Sequence, residues 1–149
     1  MIKKEHSKNI FDGITKPTVI VHGCNMQGVM GAGIAKTVKR MFPELYKEYH
    51  EICCVERKAT LGGVHFYKVS SELYIANAFT QIRFGDARPE AIKSVLKTVS
   101  DAFPAPVELR AVRVGCGLGG LEWDDIKPIY EEDKGEWEVY FLDLHPTET

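Results

Sequence analysis

The chain has 149 residues, a length typical of one domain that can bury a substantial core. Apolar residues make up 44% of it and the formal net charge is -2, so there is no basic excess for bulk nucleic-acid binding. No apolar run is long enough to span a membrane, and residues 1–6 lack the apolar segment of a secretion signal. We therefore expect a cytoplasmic protein without membrane or bulk nucleic-acid partners.

The cysteines are Cys24, Cys53, Cys54 and Cys116, and they show neither CxxC spacing nor a paired histidine pattern. This spacing favours neither a zinc site nor a disulfide framework. We expect reduced, mostly buried thiols, no metal and no cofactor.

The first part of the chain predicts an edge strand and turn, followed by a strand, a loop and a helix. Polar and apolar residues alternate loosely over 8–15, where Asn9 and Asp12 could bind a heterocycle edge or simply form turns. The β-branched run at 18–21 predicts a strand buried on both faces. A helical stripe then begins near Gly31.

Glycines dominate the loop between that strand and that helix. Gly28, Gly31 and Gly33 permit positive φ and leave no side chain between the backbone and a ligand. Unpaired N–H groups at the helix start can then meet an anion. The loop is interpreted as a phosphate site; the alternative is a tight turn that only makes room for packing.

The middle of the chain predicts a helix, a hairpin and a second helix. The first helix begins at Pro43, and alternating patterns at 64–69 and 73–79 predict the two strands of the hairpin. The loop at 80–88 follows a strand, where α/β proteins place ligands, so Asn77, Thr80 and Gln81 are candidate contacts or ordinary loop residues. Asp86 is expected to cap the next helix.

The last part predicts a strand at 107–114, a second glycine-rich loop, a helix start at 121–126, a closing strand at 138–143 and a tail at 146–149. Gly115, Gly117 and Gly120 satisfy GxGxxG, which raises a dinucleotide-binding Rossmann site. We reject that site because the match falls late, its helix is short, and no room remains for a second mononucleotide half.

Two motifs together resemble the macrodomain family. They are His22-Gly-Cys-Asn-Met-Gln-Gly-Val-Met-Gly-Ala-Gly-Ile-Ala35 and Val114-Gly-Cys-Gly-Leu-Gly-Gly-Leu-Glu-Trp123. The resemblance is to the small branch that contains ADP-ribose 1''-phosphate phosphatases and terminal ADP-ribose-glutamate hydrolases. It implies one domain over 1–149, a three-layer α/β/α sandwich with a mixed, mostly parallel central sheet, and an ADP-ribose cleft at the strand ends.

The resemblance also implies ligand contacts. Asn25 would contact the distal ribose, and Asn9 with Ile10 would meet the adenine, or Asp12 if the register shifts. The phosphates and the ribose edge would meet the two loops, at Gly31, Ala32, Gly33, Ile34, Gly115, Cys116, Gly117, Leu118, Gly119 and Gly120.

Two departures from the family bear on the reaction. The glutamate-linked hydrolases use a lysine after the middle strand and an aspartate in the second glycine loop, where this chain has Gln81, or a near neighbour, and Gly119. Glutamine cannot form a Schiff base and glycine supplies no acid or base, so we do not expect covalent catalysis by an amine.

The catalytic candidates are His22, Asn25 and Asp124. An imidazole has a pKa near neutrality, so His22 is the candidate base; alternatively it only hydrogen-bonds a neighbouring carbonyl. Asp124 could orient water or cap a helix. Cys116 lies in an amide-rich loop, which would lower the pKa of its thiol, but no neighbouring cation is evident from the sequence and small-residue packing is favoured.

Three functions follow from the resemblance. The first is hydrolysis of ADP-ribose 1''-phosphate to ADP-ribose. The second is removal of ADP-ribose from a protein, nucleic acid or acetyl group, and the third is non-catalytic binding of ADP-ribose.

Overall fold

The computed structural model describes residues 1–141. The strands are β1 (Ile2–His6), β2 (Thr18–Cys24), β3 (Val64–Ser70), β4 (Leu73–Phe79), β5 (Glu108–Val112) and β6 (Trp137–Tyr140). The helices are α1 (Gly33–Met41), α2 (Pro43–Cys54), α3 (Pro89–Ala102) and α4 (Trp123–Glu132), with a 3₁₀ turn at Gly117–Gly119.

The strands form one six-stranded sheet in the order β1-β6-β5-β2-β4-β3. Every neighbouring pair is parallel except β3 and β4, which form an antiparallel hairpin. The central strand β2 therefore lies between β4 and β5. Because parallel strands share one carboxyl edge, the loops that follow β2, β4 and β5 all leave the sheet on the same side.

A separate hydrophobic core lies on each face of the sheet. Val19 and Val21 of β2 pack with α3 and α4, whereas Ile20 packs with α1 and α2. This alternation follows from the pleat, in which successive side chains point to opposite faces. The result is the predicted three-layer α/β/α sandwich with a mostly parallel sheet, which confirms the fold class.

Most predicted elements are present, with shifts at their ends. The predicted helix start at Pro43 and the hairpin are confirmed. The first long strand continues past residue 21 to Cys24, so it includes His22. Helix α1 begins at Gly33 rather than near Gly31, because Ala32 is still extended, with φ -150 and ψ 159.

Asp86 does not cap α3, so that prediction is wrong. The N-cap is Arg88, which is extended and makes no side-chain capping bond. The Asp86 carboxylate instead accepts a hydrogen bond from Arg88 Nη2 at 3.1 Å. The ion pair with Arg88 thus takes the Asp86 carboxylate that a helix cap would have needed.

The ends of the chain differ partly from expectation. The edge strand β1 lies at residues 2–6, before the turn that contains Asn9, and pairs with β6. The closing strand begins at Trp137. The rest of its predicted span beyond residue 141, and the predicted tail at 146–149, lie outside the described residues.

The four cysteines are free, but only Cys24 is buried, so the expectation of mostly buried thiols is wrong. Cys53 and Cys116 are partly buried and Cys54 is exposed. None of the helices within residues 1–141 has both the length and the apolar content of a membrane span.

A chain of polar side chains crosses the sheet beneath the carboxyl edge. His22 is fully buried, and its Nε2 lies 2.6 Å from Asn77 Oδ1 on β4. The Asn77 amide nitrogen lies 3.0 Å from His65 Nδ1 on β3. His65 Nε2 in turn lies 3.1 Å from the carboxylate of Glu48 on α2. These contacts are consistent if both imidazoles carry their proton on Nε2.

Burial disfavours the charged form of His22 and lowers its pKa from 6.5 to about 4, although the bond to Asn77 acts in the opposite direction. Between those two values the unfolded chain binds more protons than the folded chain. The free energy of unfolding therefore falls as pH drops through this window, and His22 contributes no further change below pH 4.

We predict that His22→Gln will remove this pH dependence. Between pH 7.5 and pH 5, wild type should lose about 2 kcal/mol more unfolding free energy than the variant, because only wild type has this buried imidazole. Urea unfolding at both pH values measures the difference. Equal losses in the two proteins would contradict the buried, neutral state of His22.

Candidate functional site

A cleft of about 910 Å³ lies at the carboxyl edge of the sheet. Its walls come from the β1–β2 segment, the loop between β2 and α1 (the first loop, residues 25–32), the β4–α3 loop, and the loop between β5 and α4 (the second loop, residues 113–122). Of the predicted ligand contacts, Asn77 does not line the cleft, because its side chain is buried between His22 and His65. The others line it: Asn9, Ile10, Asn25, Gly31, Ala32, Gly33, Ile34, Thr80, Gln81, Gly115, Cys116, Gly117, Leu118, Gly119 and Gly120.

Asn25 holds the first loop in shape. Its side-chain oxygen accepts hydrogen bonds from the Gln27 amide at 3.0 Å and the Tyr49 hydroxyl at 2.8 Å. Its side-chain nitrogen donates to the Val29 carbonyl at 2.9 Å. Asn25 therefore lines the cleft while its polar atoms already bind the protein, which favours a structural contribution over the predicted catalytic one.

The main-chain amides that follow Asn25 are differently placed. Within residues 1–141, the amides of Gly31, Gly33 and Ile34 make no hydrogen bond, since the first backbone bond of α1 runs from Lys36 to Ala32. The start of α1 thus presents unpaired N–H donors at the positive end of the helix dipole. Such a start is suited to bind an anion.

The second loop faces these donors across the cleft. The Leu118 amide also has no hydrogen-bond partner in the described part of the chain. A Cβ built on Gly33 would lie only 3.0 Å from Leu118 Cδ1, so the two loops approach closely. Gly33 and Gly117 have φ of 58° and 65°, which glycine adopts without strain.

Cys116 lies in this second loop with a protonated thiol. Burial raises its pKa to about 11, and the Glu122 carboxylate acts in the same direction, whereas Arg113 opposes the shift. A thiol with this pKa is a poor nucleophile near neutral pH, because the thiolate is the reactive species. The packing interpretation of Cys116 is favoured.

Thr80 and Gln81 form the β4 end of the cleft. Thr80 is fully buried, and its hydroxyl has no partner among the described residues. A Cβ on Gly119 would lie 3.3 Å from Gln81 Oε1. Gln81 and Gly119 are therefore adjacent, and neither supplies an acid or a base.

The opposite end of the cleft, next to β6, is aromatic. Asn9 and Phe11 line it, together with Tyr140 and Phe141, whereas Asp12 does not. The Arg113 guanidinium lies 3.8 Å from the centre of the Phe141 ring and 5.0 Å from that of Trp123. Phe11, Tyr140 and Phe141 thus give this end aromatic rings beside the polar side chain of Asn9.

Sequence reasoning missed Arg113, Trp123, Phe84 and Phe141 as lining residues. Arg113 and Phe141 each follow the last residue of a strand at the carboxyl edge, and this position is the signal that could have found them. Phe84 is 61% exposed on the β4–α3 loop, where an unburied aromatic side chain is unusual.

Two predicted catalytic residues lie outside the cleft. His22 is buried against Asn77, and its low pKa makes it a weak base, so its placement argues against the predicted role. Asp124 is exposed on α4, whereas its neighbours Glu122 and Trp123 line the cleft. Asp124 makes no capping bond, since the N-cap of α4 is Glu122. Within residues 1–141, no three His, Cys, Asp or Glu side chains are grouped to hold a metal.

No protein-family model matches the chain. An ADP-ribose 1''-phosphate phosphatase from Candida albicans is 25% identical over 144 residues, which covers 85% of this chain and 89% of that protein. A DNA ADP-ribosyl glycohydrolase from Thermus aquaticus is 30% identical over 122 residues, or 76% of this chain. The match spans only 33% of that longer relative.

Solved structures agree with the fold. A macrodomain protein from Streptomyces coelicolor superposes with a TM-score of 0.78 at 24% identity, covering 95% of this chain and 99% of that one. Thermosipho africanus DarTG, solved in complex with ADP-ribose, superposes with a TM-score of 0.70 at 23% identity over 87% of this chain and 38% of that one. The chain therefore has the macrodomain fold, and its sequence is similar to an ADP-ribose 1''-phosphate phosphatase and a DNA ADP-ribosyl glycohydrolase.

Proposed function

We propose that this protein binds ADP-ribose in the cleft and hydrolyses an ADP-ribose derivative, with release of phosphate from ADP-ribose 1''-phosphate as the leading reaction. The observation that carries the proposal is that both loops line the cleft and approach each other at Gly33 and Leu118, with unpaired amides at Gly31, Gly33, Ile34 and Leu118. A pyrophosphate between them would accept hydrogen bonds from both sides.

The two ends of the cleft support one direction of binding. Adenine fits the end that has Asn9, Phe11 and Phe141, where ring faces and a side-chain amide are available. The distal ribose then lies toward Thr80 and Gln81. Similarity to the Candida albicans phosphatase, of which the chain covers 89%, supports phosphate as the group attached there.

The chemistry proposed at the distal end needs no covalent intermediate. Water attacks phosphorus, a P–O bond to water forms, the bond from phosphorus to the ribose 1'' oxygen breaks, and that oxygen takes the proton that the attacking water loses. Loop amides would stabilise the charge on the phosphoryl oxygens. The unpartnered hydroxyl of Thr80 is the side-chain group that we propose for positioning the water or the ribose.

Removal of ADP-ribose from a macromolecule is the second candidate function. Val29, Phe84 and Leu118 line the cleft and are 55%, 61% and 53% exposed, so its mouth has an apolar rim. Such a rim would suit a bulky attached group that stays outside the cleft. The similarity to DNA ADP-ribosyl glycohydrolases is compatible with this activity.

We predict phosphate release when the purified protein is incubated with ADP-ribose 1''-phosphate. ADP-ribosylated DNA and peptide are incubated in parallel, and chromatography measures phosphate and free ADP-ribose. Phosphate from the first substrate supports the leading reaction, whereas ADP-ribose from either of the others supports the second candidate. Binding without any product would reduce the proposal to a non-catalytic reader.

Two variants refine this experiment. Thr80→Val keeps the side-chain shape and removes the unpartnered hydroxyl, so turnover should fall. Unchanged ADP-ribose affinity would show that the hydroxyl positions the water, and weaker affinity that it positions the ribose. Cys116→Ala is the control and should retain turnover, because the thiol has a pKa of about 11 and is protonated. Lost turnover in Cys116→Ala alone would point to a different mechanism.

We also predict that Gly117→Val will weaken ADP-ribose binding at least tenfold. No atom lies within 4 Å of a Cβ at Gly117, so the new side chain would occupy the space of the cleft. Positive φ adds strain of about 1 kcal/mol or more. Calorimetry of the folded variant measures the affinity.

Gly85→Val is the matched control for this variant. Gly85 also has a positive φ, 78°, and open space around its Cβ, but it does not line the cleft. It should lose comparable stability and keep its affinity. Unchanged affinity in Gly117→Val would remove the second loop from the phosphate site.

A further inference from the structure

We propose that Arg110 is a positioning residue that holds the base-binding wall of the cleft and thereby sets selectivity for adenine. The inference rests on the proposed function, since it assumes that ADP-ribose binds with its base beside Asn9. Arg110 does not line the cleft itself. It acts through the β1–β2 segment, which lines the cleft at Asn9, Ile10 and Phe11.

Arg110 is a cation in the interior of the sheet. It lies in the middle of β5 and is only 3% exposed, between the buried apolar residues Leu109 and Ala111. Its neighbours on the strand face α3 and α4. By the alternation of the strand, Arg110 therefore faces the other layer, where the β1–β2 segment covers it.

The guanidinium binds three carbonyls of one turn. Nη1 donates to the carbonyls of Ile10, at 2.9 Å, and Asp12, and Nη2 donates to the carbonyl of Gly13 at 3.0 Å. Nε donates to the Glu108 carboxylate at 2.6 Å. The guanidinium carbon lies 4.9 Å from the centre of the Tyr140 ring.

This arrangement requires the shape of arginine. A planar fork with several fixed N–H groups can reach three carbonyls and a carboxylate at once, whereas a lysine ammonium is a compact charge with three donors. Buried carbonyls that lose their donor are costly to leave unpaired. The side chain of Arg110 therefore holds the turn at residues 10–13 against the sheet. Arg110 and Ile10 are 100 residues apart in the sequence.

The same turn carries the wall of the cleft. Asn9, Ile10 and Phe11 all line it. The Phe11 amide donates to Asn9 Oδ1 at 2.8 Å, which fixes this side chain, and the Asn9 side-chain nitrogen has no hydrogen-bond partner among the described residues. In the proposal this free N–H donor meets the base, and it selects adenine only at a ring nitrogen that accepts in adenine alone, since N3 and N7 accept in adenine and hypoxanthine alike. Adenine has such an acceptor at N1, whereas hypoxanthine carries a proton there.

The test compares the affinities of ADP-ribose and inosine diphosphate ribose. Calorimetry gives both dissociation constants for wild type and for Arg110→Lys, which keeps the charge but cannot reach all three carbonyls. We expect wild type to prefer ADP-ribose, and the variant to lose at least tenfold in ADP-ribose affinity with a preference ratio that falls toward one. A merely structural role would weaken both ligands equally and leave the ratio unchanged, which would overturn the proposal.

A control and a second variant complete the design. Lys16 lies 3.9 Å from Glu108 and is 49% exposed, so Lys16→Ala should leave the ratio unchanged. Should Arg110→Lys fail to fold, Glu108→Ala, which frees Nε and loosens the guanidinium, should lower the ratio in part; an unaltered ratio overturns the proposal. Absence of ADP-ribose binding in wild type would instead contradict the proposed function itself.

Discussion

The candidate site depends on backbone N–H groups of the two glycine-rich loops that have no hydrogen-bond partner among the described residues. The amides of Gly33 and Ile34 cannot bond within α1, because a helix leaves its first N–H groups unpaired. The amides of Gly31, just before the N-cap, and of Leu118 have no partner among the described residues either. The strand order places β2 beside β5, so the loops that follow them face each other. Burying unpaired backbone N–H groups costs free energy, but the same groups form an anion site when a ligand or water supplies the acceptors.

Thr80, Gln81 and Gly119, at the β4 end of the cleft, carry no charged side chain. Gln81 and Gly119 are adjacent there, since a Cβ on Gly119 would lie 3.3 Å from Gln81 Oε1. The Thr80 hydroxyl is buried and has no partner among the described residues. In the proposed reaction this hydroxyl orients water or a ribose hydroxyl, and the loop amides stabilise the charge.

Local sequence signals predicted the fold and the two loops, because they depend on neighbouring residues. The β-branched run at 18–21 and the glycines after it specify a strand and a turn wherever the chain lies. The contacts between side chains on neighbouring strands were harder to predict. The pairing of His22 with Asn77 depends on the register of β2 against β4, whose residues lie 55 positions apart, and no local pattern encodes that register. Arg113 and Phe141 reach the cleft for the same reason, as neighbours in the sheet rather than in sequence.

The central claim is that both sets of unpaired amides bind the same pyrophosphate. The most direct measurement is a titration of the ¹⁵N-labelled protein with ADP-ribose, followed by the backbone amide resonances. The account predicts large shifts for Gly31, Gly33, Ile34 and Leu118, while Gly62, a positive-φ glycine that does not line the cleft, stays unchanged. Saturable binding that left those four resonances in place would contradict it.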